Sequence, residues 1–296
     1  MNIGFIGLGS LGSRIAKRLL DARYDLTVCD IKKEAAQQLI DGGARWADSP
    51  KAMAESCELV LSSLPGPPQV EEVVYATNGL MAGWKQGDTY VDMTSSSPAL
   101  IRRVARDALT KGVSVLDSPL SWQSGGGEGA LTMMIGGPTE ALDKVRPILE
   151  TVGKKIYHVG QVGNGSVCKL VNNAIHLAIY AANAEGMVLG VKAGIDPQQL
   201  WEVIMSSTGA NPILERYPKD VLDGKFPHSG FALRLAAKDL DLASQLADEN
   251  NLPCPVIAGA ARDYLEAKDA GHGDKAHSSV ILMLEERAGV QVRSSR

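Results

Sequence analysis

An α/β sheet domain followed by an all-helical domain is the fold class this sequence predicts. Three observations predict it. Short apolar runs alternate with helix-period stretches up to about residue 160. A glycine turn, Gly7-Leu8-Gly9-Ser10-Leu11-Gly12, follows the first apolar run at once. No convincing strand pattern recurs from Gly163 to the end.

Residues 2–7 read as a short buried strand, Ile-Gly-Phe-Ile. Residues 13–22 carry apolar positions at helical spacing, and residues 25–30 form a second strand ending in an acid. Strand, glycine turn, helix and strand together make G-x-G-x-x-G a credible dinucleotide motif, where the bare pattern is weak. Its glycines permit a tight turn and let backbone amides and a helix N-terminus face a pyrophosphate. Asp30 is placed to accept hydrogen bonds from an adenosine ribose, which favours NAD over NADP. Cofactor contacts are therefore expected from Gly7, Leu8, Gly9, Ser10, Leu11, Gly12 and Asp30. This is a Rossmann-type doubly wound sheet; the bland reading is a structural glycine turn in another α/β domain.

Alternation continues. Residues 34–40 are helical, and Asp48-Ser49-Pro50 caps a helix reaching Glu55. Residues 58–62, 88–93 and 113–117 read as strands, each followed by a polar or proline-rich loop. The first of these loops, residues 64–68, reads as a rigid turn. Such loops lie on the carboxyl edge of a parallel sheet, where ligands sit. Pro98–Leu109 and residues 139–149 are helical, and Leu131–Ile135 with residues 156–159 are the last strands, expected to extend the same sheet. Helical periods then fill about 165–194, 197–207, 233–249, 254–271 and 277–287. The chain is expected to divide into a dinucleotide-binding domain, 1–161, and an all-α substrate and oligomerisation domain, 162–296. Residues 291–296 are expected to be loose.

The stretch 163–173 lies at this joint, a favoured place for a ligand site. Lys169 and Asn173 are four apart and share a helical face, and His176 falls one turn further. A partly buried lysine has a movable pKa, which suits proton transfer. The alternative is a lysine snorkelling from a core helix beside a backbone-bonded asparagine.

Hydrophobic residues make up 45% and charged residues 22%, as in ordinary globular chains. A net charge of −4 argues against a nucleic-acid partner. The four cysteines have neither metal-ligand nor disulfide spacing, so no metal is expected and a reducing cytoplasm is. The longest apolar helix contains Asn172, Asn173, His176, Asn183 and Glu185, which reads as too polar for a membrane span.

Seven motifs in order resemble the β-hydroxyacid dehydrogenase family, which includes 3-hydroxyisobutyrate dehydrogenases and tartronate semialdehyde (2-hydroxy-3-oxopropionate) reductases. They are Gly4-Phe5-Ile6-Gly7-Leu8-Gly9-x-x-Gly12, Leu64-Pro65, Asp92-Met93-Thr94-Ser95 and Asp117-x-Pro119-Leu120-Ser121. Leu131-Thr132-x-Met134-x-Gly136-Gly137, Gly163-x-Gly165-x-x-x-Lys169-x-x-Asn172-Asn173 and Lys238-Asp239-Leu240-x-Leu242-Ala243 complete the set. The resemblance implies an NAD-dependent oxidoreductase acting on a small β-hydroxy acid or its semialdehyde. It implies Lys169 as the proton-handling residue, Asn173 as its neighbour on substrate, and Leu64, Pro65 and Ser95 as nicotinamide-side contacts. It implies that Lys238, with Phe231, touches cofactor and substrate, that Asp239 pairs with a lysine, and that the protein is a homodimer or homotetramer.

One departure stands out. The family's Ser-Gly-Gly, whose amides receive the substrate carboxylate, is here Ser121-Trp122-Gln123, and the loop to Leu131 is about one residue shorter. A polar substrate is expected from this change. Two other functions compete. Oxidative decarboxylation of a sugar acid, as in 6-phosphogluconate dehydrogenases, would need a longer chain and a cationic phosphate cluster. A non-catalytic dinucleotide-binding sensor would have no need of Lys169 and Asn173 on one helical face.

Overall fold

The computed structural model describes residues 1–122, 130–227 and 231–294. The chain divides into two compact units, Met1–Lys169 and Leu170–Arg296.

The first unit is built on six parallel strands: β1 (Ile3–Ile6), β2 (Leu26–Cys29), β3 (Arg45–Trp46), β4 (Leu59–Ser62), β5 (Thr89–Asp92) and β6 (Ser114–Asp117). Their order is β3-β2-β1-β4-β5-β6. The order reverses between β1 and β4, the switch point beside which ligands bind in such sheets. Nearly every residue of these strands is buried because both sheet faces are covered. Period two then divides each strand between two cores. Ile3, Phe5, Leu59, Leu61, Val91 and Leu116 join α1 (Gly12–Asp21) and α7 (Thr139–Val152) on one face. Ile6, Val60, Tyr90 and Val115 join α3 (Pro50–Ser56), α4 (Pro67–Tyr75) and α6 (Pro98–Leu109) on the other. Two short helices, α2 (Gln37–Asp41) and α5 (Leu80–Gly83), complete the unit.

Two local readings need correction. Residues 64–68 are not wholly a rigid loop: α4 starts at Pro67, with prolines at its first two positions, where a missing N–H costs nothing. The last strands do not extend the main sheet. Leu131–Ile135 (β8) and Lys155–His158 (β9) pair in parallel, and β8 pairs antiparallel with β7 (Leu120–Trp122), giving a separate three-stranded sheet. Ser118-Pro119 turns the chain back directly after β6, and a bridge from Asp117 to Gly136 ties the two sheets. The two-residue strand β3 is too short to carry a periodic signal.

The second unit continues α8 (Asn164–Lys192), whose first turns belong to the first unit. On length and composition α8 could cross a membrane. Here Leu170, Ala174, Leu177, Tyr180, Ala184 and Met187 are buried in the core of the helical unit. Around them lie α9 (Pro197–Met205), α10 (Leu233–Glu249), α11 (Pro255–Ala267) and α12 (Ile281–Ala288), with short helical turns at Leu214–Arg216 and Pro218–Leu222 that carry no sequence period. The tail is not loose as far as it is described. Arg293 donates from Nη1 and Nη2 to the two carboxylate oxygens of buried Glu285, at 2.6 and 2.9 Å. Val292 is fully buried, and the Ser294 amide donates to Leu222 O at 3.0 Å.

Candidate active site

The glycine turn leaves β1 under tight steric control. Gly7 has φ +91°, and a Cβ there would lie 2.4 Å from Ser63 O. A Cβ on Gly12 would lie 1.9 Å from Gly7 O, so only glycine lets the start of α1 close onto the turn. Gly9 differs: a Cβ there would meet nothing within 4 Å. That open side, with no side chain capping the α1 N-terminus, fits a pyrophosphate on backbone amides. The Leu8 amide donates to Asp30 Oδ2 at 2.6 Å, and the Lys32 amide to Asp30 Oδ1 at 2.9 Å. Asp30, just past the end of β2, therefore holds the turn itself. Leu8 is buried, so it can offer a dinucleotide only backbone; Leu11 is half-buried against the core and Ser10 is exposed.

Beside the turn, the loops after β4 and β5 are bound to each other. Buried Asp92 accepts from Ser62 Oγ and from the Thr94 amide, both at 3.0 Å on Oδ1. Thr94 Oγ1 in turn accepts the Leu64 amide at 3.1 Å. Ser62 Oγ also lies 2.7 Å from Tyr90 Oη. Burial pushes the Asp92 carboxyl up to about 6, against the pull of these donors. Leu64 and Ser95 are half-buried and Pro65 exposed on this edge.

After β6 comes the third loop. Ser121 is half-buried on β7, and Trp122, in register with Leu131, is 56% exposed. Gln123 lies outside the described residues. Asp117, 1% exposed at the end of β6, accepts the Gly163 amide on Oδ1 at 2.7 Å and the Ser166 amide on Oδ2 at 2.6 Å. Ser166 thus lies inside the first turn, and the acid that receives the amides comes from the sheet. Sequence reading missed this role, because nothing local links positions 46 and 49 residues apart. Lys169, half-buried, follows one turn later. The first unit therefore carries the glycine turn, Leu64, Pro65 and Ser95 on loops at the carboxyl edge of the main sheet, and Ser121 and Trp122 on β7, which follows β6.

In the helical unit, Asn173 is 5% exposed and its amide is already engaged. Nδ2 donates to Asp239 Oδ2 at 2.5 Å, and Oδ1 accepts from Asn172 at 3.0 Å. Lys238 Nζ lies 2.8 Å from Asp239 Oδ1, an ion pair without hydrogen-bond alignment. The expected partner lysine of Asp239 is thus its own neighbour. Phe231 stacks obliquely on His277, with ring centroids 5.2 Å apart. His176 Nε2 lies 3.5 Å from His277 Nε2. Burial, then the nearby His176, lowers the His277 pKa to about 4.

Comparison with known proteins bears on the whole chain. Residues 2–160 match the family described as the NAD binding domain of 6-phosphogluconate dehydrogenase. Residues 163–284 match that described as NAD-binding of NADP-dependent 3-hydroxyisobutyrate dehydrogenase. The chain is 35% identical to 2-(hydroxymethyl)glutarate dehydrogenase of Eubacterium barkeri, covering 99% of this chain and 97% of the relative. It is 36% identical to 3-hydroxyisobutyrate dehydrogenase of Pseudomonas aeruginosa, covering 94% and 97%. Its fold matches 3-hydroxyisobutyrate dehydrogenase of Mycobacterium tuberculosis, solved with L-serine, at TM-score 0.83 and 29% identity over 96% of this chain and 98% of that one. A nicotinamide-dependent oxidoreductase acting on the CH–OH group of hydroxy acids is the class these matches define, with NAD bound in its first domain. More narrowly, the chain belongs to the β-hydroxyacid dehydrogenase family.

Proposed function

We propose that this enzyme interconverts a small, polar β-hydroxy acid and its semialdehyde, using NAD(H) in preference to NADP(H). The carrying observation is Lys169, half-buried one turn into a helix whose start is bound to the carboxyl edge of the dinucleotide sheet. The nicotinamide, when bound, supplies or accepts the hydride. Lys169 gives the carbonyl oxygen its proton in reduction and receives the hydroxyl proton in oxidation. Asn173, four residues on, orients substrate within the limits that Asp239 sets on its amide. Lys238 and Phe231 contact cofactor and substrate from the helical domain, residues 162–296; residues 1–161 form the dinucleotide domain. Ser121, Trp122 and Gln123 receive the substrate's carboxylate and hydroxyl end. Relatives named for 2-(hydroxymethyl)glutarate, L-threonate and 2-hydroxy-3-oxopropionate support a hydroxylated acid.

We place the enzyme in the cytoplasm as a homodimer or homotetramer. Val171, Ile175 and Ile179 recur every four residues on α8 and are 47%, 56% and 38% exposed. An apolar stripe of this kind favours association with a second copy.

A panel of hydroxy acids and semialdehydes, assayed with both cofactors, tests the reading. Hydroxylated three- and four-carbon acids should give higher kcat/KM than 3-hydroxyisobutyrate. Absence of turnover across the panel would favour the non-catalytic sensor.

A further inference from the structure

We propose that Asp117 is a positioning residue for Lys169: its carboxylate fixes the start of α8 to the end of β6 and thereby sets where the lysine stands. The proposal rests on the reading of Lys169 as the proton-handling group.

Three observations carry it. Both oxygens of Asp117 are used on one object, the first turn of α8, at 2.7 Å to Gly163 N and 2.6 Å to Ser166 N. These are charge-assisted bonds to amides that no earlier turn of the helix can satisfy. Asp117 is itself immobile: it is 1% exposed, and its backbone exchanges two hydrogen bonds with Gly136, at 3.0 and 2.9 Å. The approach is also as close as a backbone allows. A Cβ on Gly165 would lie 2.3 Å from Met134 O and 2.7 Å from Asp117 O. A Cβ on Gly136 would lie 2.5 Å from Asp117 Oδ1. The helix start is therefore clamped between the ends of β6 and β8.

Lys169 is three residues beyond Ser166, so about 4.5 Å of rigid helix separates them along the axis. A shift of the first turn becomes a shift of the lysine. Misplacing a reacting group by about 1 Å can cost on the order of 100-fold in rate. Burial raises the pKa of Cys168, the residue next to Lys169, and the nearby Asp117 charge raises it further.

The test compares Asp117→Asn, Gly165→Ala and Lys169→Ala in the full-length enzyme, reading kcat, KM, NADH affinity by fluorescence titration, and Tm. Asn offers one acceptor where Asp offers two, and it turns an NH2 toward a backbone N–H. Gly165→Ala displaces the same turn without touching charge, so it decides the matter should Asp117→Asn not fold. Both variants should lower kcat at least about tenfold while NADH affinity stays within about twofold, since the glycine turn is elsewhere. The double variant Asp117→Asn, Lys169→Ala should turn over no more slowly than Lys169→Ala alone, the non-additivity of residues acting as one unit. Normal kcat in both single variants, with Lys169→Ala inactive, overturns the positioning role and leaves the Lys169 reading standing. NADH affinity falling in step with kcat would also overturn it, because Asp117 would then be holding the whole sheet edge. Normal turnover in Lys169→Ala removes the lysine reading and this proposal together.

Discussion

Asp30 Oδ2 accepts the backbone amide of Leu8 across 2.6 Å, so the acid at the end of β2 holds the glycine turn that follows β1. In the cofactor assignment proposed above, the same carboxylate receives the adenosine ribose. A 2′-phosphate about 4 Å away would be repelled by up to roughly 4 kcal/mol at an intermediate dielectric, less where solvated. We expect kcat/KM with NADH to exceed that with NADPH. Asp30→Ala should narrow that ratio and also raise KM for both cofactors, because the Leu8 amide loses its acceptor. A native preference for NADPH would refute the assignment.

Lys169→Ala should lower kcat by at least roughly 100-fold, the low end for losing a general acid or base. NADH affinity should survive. Near-normal turnover in a folded Lys169→Ala protein would remove the lysine from the mechanism.

Buried Asp92 and His277 predict opposite pH dependences of stability. The Asp92 carboxyl rises from 3.8 to about 6 on folding, so between those values the folded state holds the proton longer. Its contribution therefore falls as pH rises through that window. Asp92→Asn keeps an acceptor for Ser62 and Thr94, so its Tm relative to wild type should climb between about pH 4 and pH 7. His277 falls from 6.5 to about 4, so the folded state releases the proton earlier and its contribution is lost as pH drops through that range. His277→Asn should flatten the acid loss of stability. Parallel Tm curves for either variant and wild type would contradict the corresponding shift.

Trp122 is exposed on β7, the strand that follows β6. Trp122→Gly should change the order of substrates by kcat/KM, improving apolar branched acids relative to hydroxylated ones. Sites that hydrogen-bond a hydroxyl discriminate more strongly than apolar pockets do. An unchanged order would reduce Trp122 to a surface residue.

Ile175→Asp with Ile179→Asp should lower the molecular mass in solution, read by light scattering. Both positions are exposed on α8, so the folded protomer should tolerate the charges. An unchanged mass would place the subunit contact elsewhere.

Local pattern was enough for several of the strands and helices. Ile3–Ile6, Leu131–Ile135 and Pro98–Leu109 carry period, composition and caps within a few residues of themselves. The glycine turn was equally legible, because the steric demand at Gly7 and Gly12 is met by residue type alone. The antiparallel return of β7, the separation of β8 and β9 from the main sheet, and the Asp117 clamp on α8 were decided by tertiary structure. Each depends on partners far apart in sequence, and pairing of that kind leaves no periodic trace. Asn173 makes the same point: its helical face could be read from spacing, but its amide's commitment to Asp239, 66 residues on, arises only when α8 and α10 pack together. Residue type and spacing thus named the candidate groups for the chemistry, and long-range hydrogen bonds decided how Asn173 and the start of α8 are held.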